Sequence, residues 1–334
     1  MSRSLDGLRE PTNGYTLTPA QYAIVAYAAL VALTLIVLTG AAVRLTGSGL
    51  GCPTWPRCYG NVYPPLNTHA VIEFSNRLLT VPVSIAAGLA WLGALRRRPY
   101  RRDLTWLGGL LPLGVIGQAV LGGLTVRGAL DYGWVMGHFA LSMLILAVAV
   151  ALVWRATRVP DGEPSSEVAR EPADTTLVWS VRALVALGAL TIFAGTAATA
   201  AGPHAGGSPG QRINRLNIDG RGTMDFVIHR HGEIALVFGL AALAVWWLAR
   251  SRRAPRPAVQ RPLTVLCVLI ALQGIVGLDQ YKTHLPTELV WVHVGLACLA
   301  WLATLWAAHA AGPLAPTAEP AQEPQVAPRA RISA

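Results

Sequence analysis

Two pairs of ligand-type side chains sit inside apolar stretches at one common spacing. His138 in VMGHFALSM and His293 in VWVHVGLACL are 155 residues apart, and the same offset carries Asn76 in EFSNRLL onto His231 in HRHGEIA. It also carries Gly40, Gly47 and Gly51 onto Gly195, Gly202 and Gly206, and Gln118 and Gly122 onto Gln273 and Gly277, with no gap. Imidazole is the commonest metal ligand, and an ionisable group in hydrocarbon is costly and marks function by default. A single histidine in a span can merely hydrogen-bond to a neighbouring helix. Matched pairs in both halves point instead to one site built twice.

Other candidates surround these four. His229 competes with His231, because side chains two apart cannot face one way on a helix; the repeat selects His231 and leaves His229 as a supporting residue. Glu73 lies three residues before Asn76 on the same helix face. A carboxylate in hydrocarbon needs a partner or a task, and Arg77, at i+4, offers the partner. The repeat puts Ile228 where Glu73 would recur, so only the first half carries an acid. That asymmetry assigns chemistry to the first half and support to the second. Cys52 and Cys58 bracket CPTWPRC, and a disulfide there would close a short loop over the first site, as a staple or as a redox pair. Zinc is disfavoured for want of further ligands beside the pair. Cys267 and Cys298 read as small buried hydrophobes. GSGLG follows no strand and is not a phosphate loop.

These residues must be positioned by membrane helices. The chain is 53% apolar and 13% charged, which places it outside ordinary soluble domains. Eight apolar runs approach the length of about 20 residues that a span needs: roughly 21–43, 71–95, 104–126, 134–154, 177–200, 225–249, 262–279 and 288–310. The net charge of +10 resides largely in three arginine clusters, at 96–102, 155–158 and 250–261. All three fall in alternate loops, the positive-inside pattern, so basicity sets topology here and does not indicate nucleic acid. Both termini are then cytoplasmic, and the loops at 44–70, 127–133, 201–224 and 280–287 face outward. The first twenty residues lack the apolar core of a signal peptide.

The expected fold is an all-α membrane protein of two tandem four-helix bundles, related by a pseudo-two-fold along the membrane normal. A tail (1–20) precedes the first bundle (21–158); a linker (159–176) leads to the second (177–311) and a disordered tail (312–334). The candidate ligands lie four or five residues inside their spans, roughly 6–9 Å below the outer boundary at about 1.5 Å per residue. Facing side chains at one depth on neighbouring helices suit a metal macrocycle.

TGSGLGCPTWPRC, IEFSNR, LGGLTV, GHFALS, AGPHAG and VHVGLA, in that order, together resemble the heme A synthase family of membrane enzymes. The resemblance covers essentially the whole transmembrane region. It implies oxidation of the C8 methyl of heme O to a formyl group in a cell membrane. It puts a resident heme b in the second half on His231 and His293, and heme O in the first half on His138, with Glu73 as the essential acid. Cys52 and Cys58 match the family's outer-loop disulfide. An electron donor and the farnesyltransferase that makes heme O are the implied partners, besides membrane lipid. Asn76 departs from the histidine found there in many members. Either heme O is held by His138 alone, with Asn76 and Arg77 beside it, or His69, two turns before Asn76, approaches. An open iron position favours the first reading. His204 in AGPHAG would contact propionates or lie at the surface. A diheme cytochrome that only carries electrons, and a parallel-repeat transporter, are the competing readings. The first requires equivalent bis-histidine sites and the second requires polar groups near the midplane.

Overall fold

A computed structural model describes residues 15–158, 174–218, 220–252 and 256–312. Eight long helices follow one another: α1 (Pro19–Leu45), α2 (Thr68–Arg96), α3 (Arg102–Arg127), α4 (Tyr132–Ala156), α5 (Thr175–Ala201), α6 (Thr223–Arg250), α7 (Pro257–Lys282) and α8 (Thr287–Ala311). Each is long and apolar enough to cross a membrane, and the chain is an all-helical multi-pass membrane protein. Helix is the form that satisfies every backbone polar group without water. Polar residues set the starts: Thr18 and Gln21 form a capping box ahead of Pro19, and Asn67, Asp131 and Asp174 cap α2, α4 and α5.

The helices run a few residues beyond the apolar runs. The largest difference is α7, which begins at Pro257 and continues through Pro262. Gln260 and Arg261 interrupt the apolar run near its start, so apolarity alone places the start too late. The expected linker is shortened, because Thr175 already begins α5; residues 159–173, 1–14 and 313–334 lie outside the described residues.

Packing is by small residues. Ala26, Ala29, Ala87, Ala90 and Ala94 are buried, whereas Trp106, Trp247, Leu113 and Ile275 are exposed on the outer faces. This is the pattern of helices that approach closely while large side chains meet lipid. Helices α1 to α4 close a ring in which each packs on the next and α4 returns to α1; α5 to α8 close a second ring in the same way. The rings meet where α8 packs on α4 and α1, and α5 on α4. Two indoles of α8 cross that boundary: Trp291 donates to the Leu38 carbonyl and Trp301 to the Met143 carbonyl, each at 3.0 Å.

The loops between α1 and α2 and between α5 and α6 also join the rings. Gly49 N–H donates to the Gly206 carbonyl at 2.9 Å and Ser208 Oγ to the Gly47 carbonyl at 2.7 Å. Gly47 has φ +66°, and a β-carbon there would stand 2.9 Å from the Gly207 carbonyl, so glycine is required twice over. The repeat is visible in the backbone as well. The α3–α4 loop places Ala129 and Leu130 in left-handed conformations, and the α7–α8 loop does so with His284 and Leu285. The hydrogen bonds Leu130 N–H to Thr125 O and Leu285 N–H to Gln280 O recur at the same offset.

Candidate functional site

The second ring brings His231 of α6 and His293 of α8 together. Their ring centroids are 6.2 Å apart with planes at 74°. Two imidazoles gripping one metal ion through nitrogens at about 2 Å have ring centres roughly 6 Å apart, so the pair fits a single metal centre between them. His231 Nδ1–H donates to the Thr191 carbonyl at 3.1 Å. That bond fixes the tautomer and leaves Nε2 with its lone pair free, the arrangement usual behind a metal-bound histidine. A glycine backs each ring: β-carbons at Gly195 and Gly277 would stand 3.1 Å from Cε1 of His231 and of His293.

The first ring repeats half of this arrangement. His138 of α4 lies against Gly122 of α3, whose β-carbon would stand 3.6 Å from its Cε1. Asn76 of α2 occupies the position of His231, and its amide shares a 2.8 Å hydrogen bond with Thr39 Oγ1, which also reaches the Ile36 carbonyl at 3.2 Å. Ile36 is the repeat counterpart of Thr191. Where His231 meets the Thr191 carbonyl directly, the shorter Asn76 meets a threonine hydroxyl near the equivalent carbonyl. A β-carbon at Gly40, the counterpart of Gly195, would meet nothing, so the space an imidazole fills in the second ring stays open here. Asn76 and His231 lie eight residues past the first residue of their helices, and His138 and His293 six. The depth from the helix start is therefore about 9–12 Å, greater than the apolar runs implied because the helices start earlier.

Glu73 is buried on α2, and both its oxygens are engaged. Cys52 N–H donates to Oε2 at 2.6 Å, and Arg77 pairs with Oε1. Arg77 also donates to the carbonyls of Cys52 (2.8 Å) and Thr54 (2.9 Å). The two side chains hold a loop closed by the Cys52–Cys58 disulfide, whose Cα atoms are 4.7 Å apart. Gly51 lets this loop lie on the start of α2, since a β-carbon there would stand 2.2 Å from the His69 carbonyl. The atoms in the way are backbone and cannot swing aside. We expect Gly51→Ala to lower the unfolding free energy by about 3 kcal/mol and to make the disulfide more accessible to reductant, measured by thermal melts and thiol labelling. Trp55, at the centre of the loop, lies on Gly123 of α3, 3.0 Å from where a β-carbon would be. The second ring has Leu278 at the position of Gly123.

The remaining candidates lie apart from the histidine pairs. His229 is exposed, with Nδ1 on the Asp225 carbonyl at 2.7 Å and its ring against Tyr281. His204 Nε2–H donates to the Leu285 carbonyl at 2.7 Å, tying the α5–α6 loop to the α7–α8 loop. His69 Nδ1 shares a hydrogen bond with Ser48 Oγ at 3.0 Å, in the first turn of α2. Sequence reasoning missed Thr39 and Thr191, which act through geometry that no motif announces, and Trp55, whose place over Gly123 depends on how the loop folds back.

The family described as cytochrome oxidase assembly protein (COX15-CtaA) matches residues 23–71 and 67–305. A heme A synthase of Lysinibacillus sphaericus (strain C3-41) is 37% identical over 130 residues, 38% of this chain and 42% of the relative. A heme A synthase of Shewanella oneidensis is 27% identical over 309 residues, 81% of this chain and 90% of the relative. A Thermus thermophilus protein named protoheme IX farnesyltransferase is 27% identical over 312 residues, 88% of this chain but 49% of the relative. The chain thus spans less than half the length of the first and third of these relatives. Eight apolar helices, the paired histidines and a match across most of the sequence lead to one assignment: the chain belongs to the COX15-CtaA family of cytochrome oxidase assembly proteins.

Proposed function

We propose that this protein is a heme A synthase, oxidising the C8 methyl of heme O to a formyl group. The observation that carries the reading is the His231–His293 pair, 6.2 Å between ring centres, in a member of this family. The two rings are read as repeats about an axis along the membrane normal, residues 21–158 and 177–311. Heme b would be the resident group of the second ring, held by His231 and His293, and would supply one-electron transfer there. The membrane is the cell membrane, with both termini cytoplasmic by the arginine clusters.

Heme O is the substrate of the first ring. His138 would hold its iron, with Gly122 giving the imidazole room. Asn76, turned to Thr39, leaves the opposite side open. Glu73 and Arg77 form a charge pair that fixes the loop carrying Trp55 above the site and keeps a carboxylate in the first ring alone. Conversion of a methyl to a formyl group is a four-electron oxidation, written as two hydroxylations, each consuming one O2 with two electrons and two protons from a donor and releasing one water, followed by loss of water from the geminal diol. An electron donor is required, and the enzyme that farnesylates protoheme supplies the substrate; the likeness to a protein bearing that name supports a close link between the two.

Co-expression with a heme O supplier, followed by chromatography and mass analysis of extracted hemes, tests the reading. Heme A is expected only when this chain is present. Unmodified heme alone would favour an electron-carrying diheme cytochrome, and a preparation without a Soret band would favour a transporter.

A further inference from the structure

The helix before each ligand helix presents a glycine to the imidazole, and the residue four positions earlier on that helix lies on the same face. On α5 that residue is Thr191, four before Gly195, and its carbonyl holds Nδ1–H of His231 at 3.1 Å. On α7 it is Gln273, four before Gly277, and on α3 it is Gln118, four before Gly122. Nδ1 of His293 and of His138 are buried with no hydrogen-bond partner among the described residues, and so are Oε1 of Gln273 and of Gln118. Each ring therefore holds one unpaired imidazole donor and one unpaired amide acceptor on neighbouring helices, at matching positions. Gln118 is already beside its histidine, since Nε2 donates to the backbone carbonyl of His138 at 3.0 Å and to Ser142 Oγ at 2.8 Å. Leaving such a donor and acceptor unmet costs about 1–3 kcal/mol each, and their union removes both costs.

We infer that Gln273 and Gln118 are positioning residues that accept the Nδ1–H of His293 and His138. They hold each ring with Nε2 toward the metal, as the Thr191 carbonyl does for His231. A side-chain amide differs from a backbone carbonyl in one useful respect. It can be replaced, so the electron-donating strength of His293 and His138 is set by sequence, whereas that of His231 is set by the helix. The inference rests on reading these histidines as axial heme ligands.

The test uses the full chain purified with its tightly held heme, in three variants: Gln273→Leu, Gln273→Glu and His293→Ala. Gln273→Leu is expected to release heme to excess apomyoglobin about 10–100-fold faster. It should also raise the midpoint potential by about 59 mV, a tenfold shift in a one-electron equilibrium. Gln273→Glu keeps an acceptor, adds negative charge behind the imidazole, and is expected to retain heme and lower the potential. Opposite signs are what a residue serving only to fill space would not give. Equal signs, or an unchanged potential with unchanged heme release, would overturn the inference. Should the leucine variant fail to accumulate, the sign of the glutamate variant alone decides. His293→Ala separates the two levels: if it keeps the wild-type heme spectrum, the ligand reading itself falls, whatever Gln273 does.

Discussion

Replacing His293 by alanine is expected to remove the resident heme and, with it, all formation of heme A. The imidazoles of His231 and His293 approach as a pair, and each is backed by a glycine, which has no side chain to take its place. Losing even a supporting partner of a metal-bound histidine costs about 10–100-fold in affinity, and losing the ligand itself should cost more. Heme content per protein, measured on the purified variant, should fall by at least about tenfold. His138→Ala provides the contrast. It should leave the resident heme and its spectrum in place while abolishing conversion of heme O, because His138 belongs to the other ring. If the two variants lost the same heme, the division of labour between the rings would be wrong.

Glu73→Gln is expected to reduce heme A formation by roughly 100-fold or more while leaving the resident heme unchanged. The amide can still accept from Cys52 N–H, so the local fold has a reason to persist. What it lacks is the charge facing Arg77. Removing one partner of a buried ion pair typically costs about 3–5 kcal/mol, because the other charge is left uncompensated. Arg77 keeps its bonds to the Cys52 and Thr54 carbonyls, so the disulfide loop should stay in place and the loss should report the missing charge. Heme extraction from cells supplied with heme O reads the activity, and alkylation of Cys52 and Cys58 after mild reduction reads the loop. Full activity in the glutamine variant would refute the role of this carboxylate.

Much of this architecture is legible in the chain because the constraints are strong. Hydrocarbon demands helices, the apolar runs give eight of them, and the 155-residue offset marks matching positions in the two halves. The offset also picks His231 over His229, and the latter is exposed against Tyr281. The bonds that matter around the site are less visible. The i+4 spacing of Glu73 and Arg77 allows an ion pair, but only the folded loop reveals that Cys52 supplies the third partner. Likewise Asn76 reads as an odd substitution in the chain, and its meaning depends on Thr39 one helix away. Backbone carbonyls such as that of Thr191 carry no signature at all, since every residue has one. Pro262 in α7 shows the same limit for boundaries, where Gln260 and Arg261 conceal the helix start.

The indoles of α8 that grip the Leu38 and Met143 carbonyls have a consequence for how the rings communicate. Together with the contacts of Gly47 and Gly49 with Ser208 and Gly206, they join the rings at several depths, which opposes a swivel of one against the other. A carrier that exposes its cargo to one side and then the other needs such rocking. On the proposed function, what the two rings would share across this seam is an electron.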